Sequence, residues 1–187
     1  MSTRERLIES TQDLLWERGY AGTSPKAIQQ RSGAGQGSMY HHFGGKSDLA
    51  LAAMNKTAEQ LRAEISGHLD GPGTAIERIS AYLHRERDVL RGCRIGRLAQ
   101  DPGVVESARL RQPLDETFDW LRRRLAEVVS EGQAEGELAA DLDPEDTAAA
   151  IVAVLQGGYV IARAAGSAEP FGRAVDGALR LLAASAR

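Results

Sequence analysis

One stretch, TSPKAIQQRSGAGQGSMYHHFGGKSDL over residues 23–49, constrains this chain more than any other. Ser24 is a helix N-cap, because its hydroxyl can accept from an unpaired backbone N–H of the first turn. Pro25 then occupies the first helical position, where a missing N–H costs nothing. Ala27 and Ile28 open the apolar side, and Gly33 stops the helix at a position that tolerates a positive φ. Gln36 to Phe43 predict a second short helix, Gly44-Gly45 end it, and Lys46 opens a third. Two short helices joined by a three- or four-residue turn that contains glycine describe a helix-turn-helix. The second helix of that motif enters the DNA major groove.

The rest of the chain reads as helix after helix. Thr3 to Gly19 carries Leu7, Ile8, Thr11, Leu14 and Leu15 on one face at a 3.6-residue period, with Trp16 turned away as a partly exposed aromatic. Lys46 to about Gly67 is a long helix with a stripe of Ala50, Met54, Ala58, Leu61 and Ile65. Gly71-Pro72-Gly73 breaks it. Thr74 to about Arg91 predicts a helix with Ile76, Ile79, Leu83 and Leu90 among its apolar positions. Residues 92–111, punctuated by Gly92, Gly96 and Asp101-Pro102-Gly103, predict short helices and turns. Pro113 to about Gln133 is a strong helix with a narrow stripe of Leu114, Phe118, Leu121, Leu125 and Val128. Trp120 lies about 110° from that stripe at 100° per residue.

A loop follows, over Gly132 to Asp141. Asp143-Pro144-Glu145-Asp146 then supplies a cap, a first-position proline and acids suited to the positive end of the helix dipole. The helix it opens runs to Ala165 and is apolar on nearly every face. A helix of that kind is buried all round, which in a chain of 187 residues points to a partner subunit covering one side. Phe171 to Ala184 is the last helix, with Val175, Leu179, Leu181 and Leu182. No run alternates polar and apolar as a strand would. The expected fold is all-α with about nine helices: an N-terminal three-helix helix-turn-helix domain over 1–48 and a C-terminal helical ligand-binding and dimerisation domain over 49–187.

Charge supports nucleic-acid binding only weakly. The net charge is −3, and residues 1–50 carry six basic side chains against five acidic ones. The acids lie mainly in the first helix, while Lys26, Arg31, His41, His42 and Lys46 gather around the two short ones. A single cysteine, Cys93, makes no internal disulfide and suits a reducing cytoplasm. The first residues run straight into a charged helical pattern, without a signal peptide, and no window of 18 apolar residues is expected to span a membrane. The expected location is cytoplasmic.

Gly19-Tyr20, Thr23-Ser24, Ile28, Ser32-Gly33, Gly37, Tyr40, Phe43, Lys46 and Leu49 resemble, in order and spacing over about 31 positions, the N-terminal region of tetracycline-repressor-type (TetR family) regulators. Gly92-Cys93-Arg94-Ile95-Gly96 and Gln156-Gly157-Gly158-Tyr159 resemble the LmrA/YxaF-like branch. The resemblance implies a homodimer joined through the last two helices of each chain, and a second helix-turn-helix helix in the major groove. It also implies a small-molecule pocket in the C-terminal part. The implied activity is transcriptional repression at a palindromic double-stranded operator, relieved by an unknown effector, with no enzymatic reaction, cofactor, metal or membrane. The chain departs from the pattern at Gly35, where a Ser or Thr cap or a Pro is usual, at Gln29, where a small Ala is usual, and in the shortened Gly44-Gly45 loop.

The resemblance carries phosphate contact to Thr23, Ser24, Lys26, Tyr40 and Lys46. Phosphate contacts position a protein, and base-edge contacts specify sequence. Base reading falls to Gln36, Ser38, His41 and His42, because Gln pairs bidentately with adenine and Ser with several bases. Gly37 lets the backbone approach the duplex. His41 and His42 diverge as neighbours on a helix and lack a third ligand, so no metal is expected there. The ligand-binding candidates are Tyr82, Glu86, Cys93, Arg97, Phe118, Trp120, Gln156, Tyr159 and Arg163, the aromatic and polar residues on otherwise apolar helices. Two other readings compete. Gly33-Ala-Gly35-Gln-Gly37 is a poor phosphate loop for an enzyme, since a helical pattern precedes it rather than a strand. A helical dimer that binds ligand but not DNA would leave the complete motif unexplained.

Overall fold

The computed structural model describes residues 1–184. Every regular element among them is helical, as expected: α1 (Thr3–Arg18), α2 (Pro25–Ser32), α3 (Gln36–His42), α4 (Lys46–Leu69), α5 (Ala75–His84), a 3₁₀ turn (Gly96–Gln100), α6 (Pro102–Val105), α7 (Ala108–Ala134), α8 (Pro144–Ala165) and α9 (Glu169–Ala184). The chain gathers into two compact units. One comprises Met1–Leu61 with Arg94–Thr117; the other comprises Arg62–Cys93 with Phe118 onward. Compactness therefore does not divide the chain at residue 48, because residues 94–117 fold with the N-terminal helices. Residues 185–187 of the expected C-terminal domain lie outside the described residues.

In the first unit α1 begins on a capping box: Ser2 accepts from Glu5 N and the Glu5 carboxylate accepts from Ser2 N at 2.6 Å. Leu7, Leu14 and Leu15 of α1 are buried, together with Ile28 of α2, Met39 of α3 and Leu49 of α4. Helices α2 and α3 both pack on α1. Their short apolar sets would bury too little surface alone, so α1 is the platform that fixes the motif. The 3₁₀ turn also packs on α1 and on α6, burying Leu98 and Val104.

In the second unit α8 packs along α9, and α9 also meets α5. Ile79, Tyr82 and Leu83 of α5, Leu125, Val128 and Val129 of α7, and Ile151, Leu155 and Tyr159 of α8 are buried. At Gly132 a Cβ would stand 2.6 Å from the Ala75 Cβ, so only glycine lets α7 come this close to the start of α5.

Four expectations need correction. First, α5 ends at His84, not near Arg91, and Leu90 is exposed outside it. Arg87 folds back so that Nη2 donates to the carbonyls of Tyr82 at 2.6 Å and Leu83 at 2.8 Å, which satisfies the carbonyls of the last turn. Second, α7 begins at Ala108 rather than Pro113. Ser107 caps it, its hydroxyl accepting from Leu110 N at 3.4 Å, and Pro113 stands inside the helix, where it removes one backbone bond. Third, α8 is long and apolar enough, by length and composition alone, to cross a membrane, with a mean hydropathy of 1.6 over 18 residues. Alanine and the large aliphatics supply that value. Fourth, α8 is not buried all round in the single chain. Ile151, Leu155, Tyr159 and Ala162 face the interior, while Val160 and Ile161 are 54% and 55% exposed.

Candidate nucleic-acid interface

The local signals of the helix-turn-helix act as read. Ser24 caps α2 by accepting from Ala27 N at 3.1 Å, and Pro25 takes the first helical position. Gly33 ends α2 in the left-handed region, φ +66° and ψ 15°, where a side chain would be strained. Gly35 precedes α3 without a side-chain cap. Within α3, Met39 is fully buried and acts as the anchor. The Gln29 amide that replaces a small residue meets the Met39 sulfur at 3.9 Å.

Around that anchor α3 turns its polar side outward. Gln36, Gly37, His41 and His42 are exposed and Ser38 is half-buried. The His41 and His42 rings stand edge to face, 5.0 Å apart. A Cβ placed on Gly37 would meet no atom of the chain within 4 Å, so nothing in the fold itself requires glycine there. Tyr40 is 49% exposed and is therefore a surface group rather than core. Ser24 and Lys26 are exposed at the start of α2.

Lys46 opens α4 and rests its ammonium on the face of Tyr20, 4.1 Å from the ring centroid. Desolvation by burial pulls its pKa below the usual lysine value, against an opposing attraction from Asp101. Thr23 departs from its expected role. It is 1% exposed, its hydroxyl donates to the Gly19 carbonyl at 2.6 Å, and its N–H donates to the Tyr20 carbonyl at 3.2 Å. Both donors are consumed by the turn between α1 and α2, so neither is left for a phosphate.

The ligand candidates do not converge as one set. Tyr82 and Tyr159 do come together. Arg87 Nη1 donates to the Tyr159 hydroxyl at 3.4 Å, its guanidinium lies 5.9 Å from the Tyr82 ring centroid, and Tyr159 packs on Phe171 with centroids 4.8 Å apart. Burial pushes both phenols' pKa values up, and Cys93 lies close enough to add to the effect. Arg163 runs beside Gly92 but is itself exposed, as is Glu86. Cys93, Phe118, Trp120 and Gln156 are half-buried. Arg97 belongs to the first unit, where its Nη1 donates to the Trp16 carbonyl. Near it, Arg94 stacks on Trp16 at 4.5 Å beside a cleft of about 20 Å³ lined by Gln12, Asp13, Met54 and Thr57. That is room for about one water. Sequence reasoning gave no role to Arg87 or Asp101, and named Tyr20 only as part of the family resemblance. Arg87 carries no periodic signal, and Asp101-Pro102-Gly103 read only as a turn.

A buried anchor, an outward polar face on a short second helix and cations at the adjoining helix starts define a helix-turn-helix DNA-binding protein. Comparison with known proteins agrees. Residues 7–53 match the family of bacterial regulatory proteins of the tetR type, and residues 73–178 match the tetracyclin repressor-like C-terminal domain. The transcriptional regulator LmrA of Bacillus subtilis is 26% identical over 176 residues, 90% of each chain. The crystal structure of a regulatory protein TetR from Rhodobacter sphaeroides superposes with a TM-score of 0.85 at 27% identity, over 94% of this chain and 96% of that one. A cysteine mutant of the TetR family regulator CifR, solved with a 26-bp double-strand operator DNA, gives 0.81 at 29% identity over 94% of each chain. The chain belongs to the TetR family: it is a DNA-binding transcriptional regulator, and not an enzyme.

Proposed function

We propose that this regulator is a homodimeric repressor that binds a palindromic operator and is released by a small-molecule effector. The observation that carries the reading is α3: one buried methionine anchors it, and Gln36, Gly37, Ser38, His41 and His42 are left as its outward face. Ser24, Lys26, Tyr40 and Lys46 hold phosphate on either side, and the α3 face reads base edges. The exposed Val160 and Ile161 on α8 and the exposed Leu181 on α9 support a dimer joined through these helices. The likeness to LmrA supports the LmrA/YxaF-like branch. The regulator acts in the cytoplasm, where its operator is. Residues 1–48 serve DNA binding, and the remainder serves effector binding and dimerisation, with the Tyr82–Tyr159 cluster as the best-assembled part of an effector site.

Release follows from geometry. Two α3 copies must lie about 34–36 Å apart to meet successive half-sites. An effector that favours a different separation weakens operator binding, and the operator weakens effector binding by the same factor. The test is a gel shift with DNA flanking the protein's own gene. Retardation that weakens steeply with salt is expected. No retardation on any nearby promoter would favour the DNA-blind helical dimer instead. An effector that binds equally well with and without operator would remove the release mechanism.

A further inference from the structure

Asp101 is far from the helix-turn-helix in sequence but belongs to the same compact unit. Both of its carboxylate oxygens are engaged. Oδ1 accepts from Gly103 N at 3.0 Å and caps α6, and Oδ2 accepts from Ala21 N at 2.9 Å in the turn between α1 and α2. Two N–H donors thus face one side chain. A carboxylate offers an acceptor to each; the isosteric amide offers one acceptor and turns an NH₂ group against the other N–H. The site needs aspartate for that reason, not simply a polar residue of its size.

The same contact governs Tyr20. A Cβ on Gly103 would fall 2.9 Å from the Tyr20 ring, so the start of α6 is seated directly against that ring. The same ring carries the Lys46 ammonium, at a distance proper to a cation–π contact. Lys46 also lies within the attractive field of Asp101. The arrangement therefore ends in two places that matter for DNA: Ala21, three residues before the Ser24 cap of α2, and Lys46, the first residue of α4.

We propose that Asp101 is a positioning residue for operator binding: its carboxylate fixes the α1–α2 turn and, through the seating of Tyr20, the place from which Lys46 reaches the DNA backbone. The inference rests on the reading of Lys46 as a phosphate contact and adds a residue that never touches the duplex.

The experiment uses the full chain, with a duplex selected by the wild-type protein from a random pool. Affinity is followed by fluorescence anisotropy over a salt series, with thermal midpoints alongside. Lys46→Gln weakens binding about tenfold and lowers the salt slope by about one. Asp101→Asn, isosteric but one acceptor short, weakens binding by about fivefold or more and lowers the slope as well. Added to Lys46→Gln, it costs clearly less than it does alone, because the Lys46 contact is shared, and what remains is the part that runs through Ala21. Gly103→Ala leaves the carboxylate intact but crowds Tyr20, so it reproduces the Asp101→Asn loss and replaces that variant if it fails to fold. A role in stability alone would lower the midpoint and leave the slope untouched. A weakened Lys46→Gln beside Asp101→Asn and Gly103→Ala variants of wild-type affinity and slope overturns this inference alone, as do losses that simply multiply in the double variant. Wild-type affinity and slope for Lys46→Gln overturn the phosphate reading and this inference with it.

Discussion

The Thr23 hydroxyl donates to the Gly19 carbonyl at 2.6 Å inside the turn that joins α1 to α2. Family resemblance assigns this residue to phosphate, yet the turn consumes its donors. Thr23→Val keeps the shape and removes the donor, leaving a carbonyl without its partner in a buried place. That costs about 1–3 kcal/mol. Urea unfolding should show the loss, and Thr23→Ser should restore most of it. In folded Thr23→Val protein the salt slope of DNA binding should match the wild type, since no phosphate contact has been removed.

Gly37 separates fold from function in the opposite sense. The chain leaves open space where its side chain would be. Alanine favours helix over glycine by up to about 1 kcal/mol, so Gly37→Ala should leave the thermal midpoint unchanged or raise it. On the proposed reading of α3 the added methyl instead meets the approaching duplex. Operator affinity should fall by about tenfold, or 1.4 kcal/mol. A variant that is stabilised and binds DNA normally would show that α3 does not meet the groove at this residue.

These two residues also show where the sequence is legible. Ser24, Pro25 and Gly33 act through their own backbone neighbours, so their roles are readable from order and spacing alone. Amphipathic periods placed the helices for the same reason. Thr23 is hidden from such reading because its partner is the Gly19 carbonyl, chosen by the path of a turn and not by a pattern. Asp101 is harder still: its second acceptor serves a residue 80 positions away. The end of α5 was missed because Arg87 reaches back from outside the helix to cap it, and no local propensity registers that. The start of α7 is hidden because proline favours the first helical position, whereas Pro113 stands inside the helix.

Arg87 gives a prediction of its own. Three of its N–H groups serve the carbonyls of Tyr82, Leu83 and Arg85. Arg87→Met preserves the aliphatic stem and removes the donors, and it should destabilise the chain by about 2 kcal/mol. Arg87→Lys retains the charge without the fork and should recover less than half of that. Equilibrium unfolding in urea measures both. Equal stability of Arg87→Met and wild type would show that water caps α5 just as well.

Tyr82 sets an alkaline limit. Desolvation raises its pKa in the folded chain above the ordinary tyrosine value. A folded pKa above the unfolded one means that stability is complete below the unfolded value, about 10. It is then lost as pH rises further, because the unfolded chain releases a proton that the folded chain keeps. The contribution is at most about 1.4 kcal/mol per pH unit. Tyr82→Phe removes it, so unfolding free energies at pH 9 and pH 11 should diverge less in the variant than in the wild type. Parallel pH profiles would show that the phenol ionises in the folded chain as easily as in the unfolded one.

The proposed dimer is tested at its most exposed apolar residues. Ile161 on α8 and Leu181 on α9 are 55% and 77% exposed in the single chain. In the monomer a glutamate at either place remains in water and costs little, so Ile161→Glu and Leu181→Glu should fold with near-normal thermal midpoints. Across a dimer interface an unpaired carboxylate must be desolvated, at a cost of several kcal/mol. Two symmetric copies double that cost, because a two-fold interface presents each substitution twice. Sedimentation velocity should therefore show the wild type as two chains and each variant shifted to one chain at micromolar concentration. Affinity for a full palindrome should then collapse, while the weak affinity for an isolated half-site stays the same, since the α3 surface is untouched. A variant that still sediments as two chains would place the interface elsewhere on the molecule.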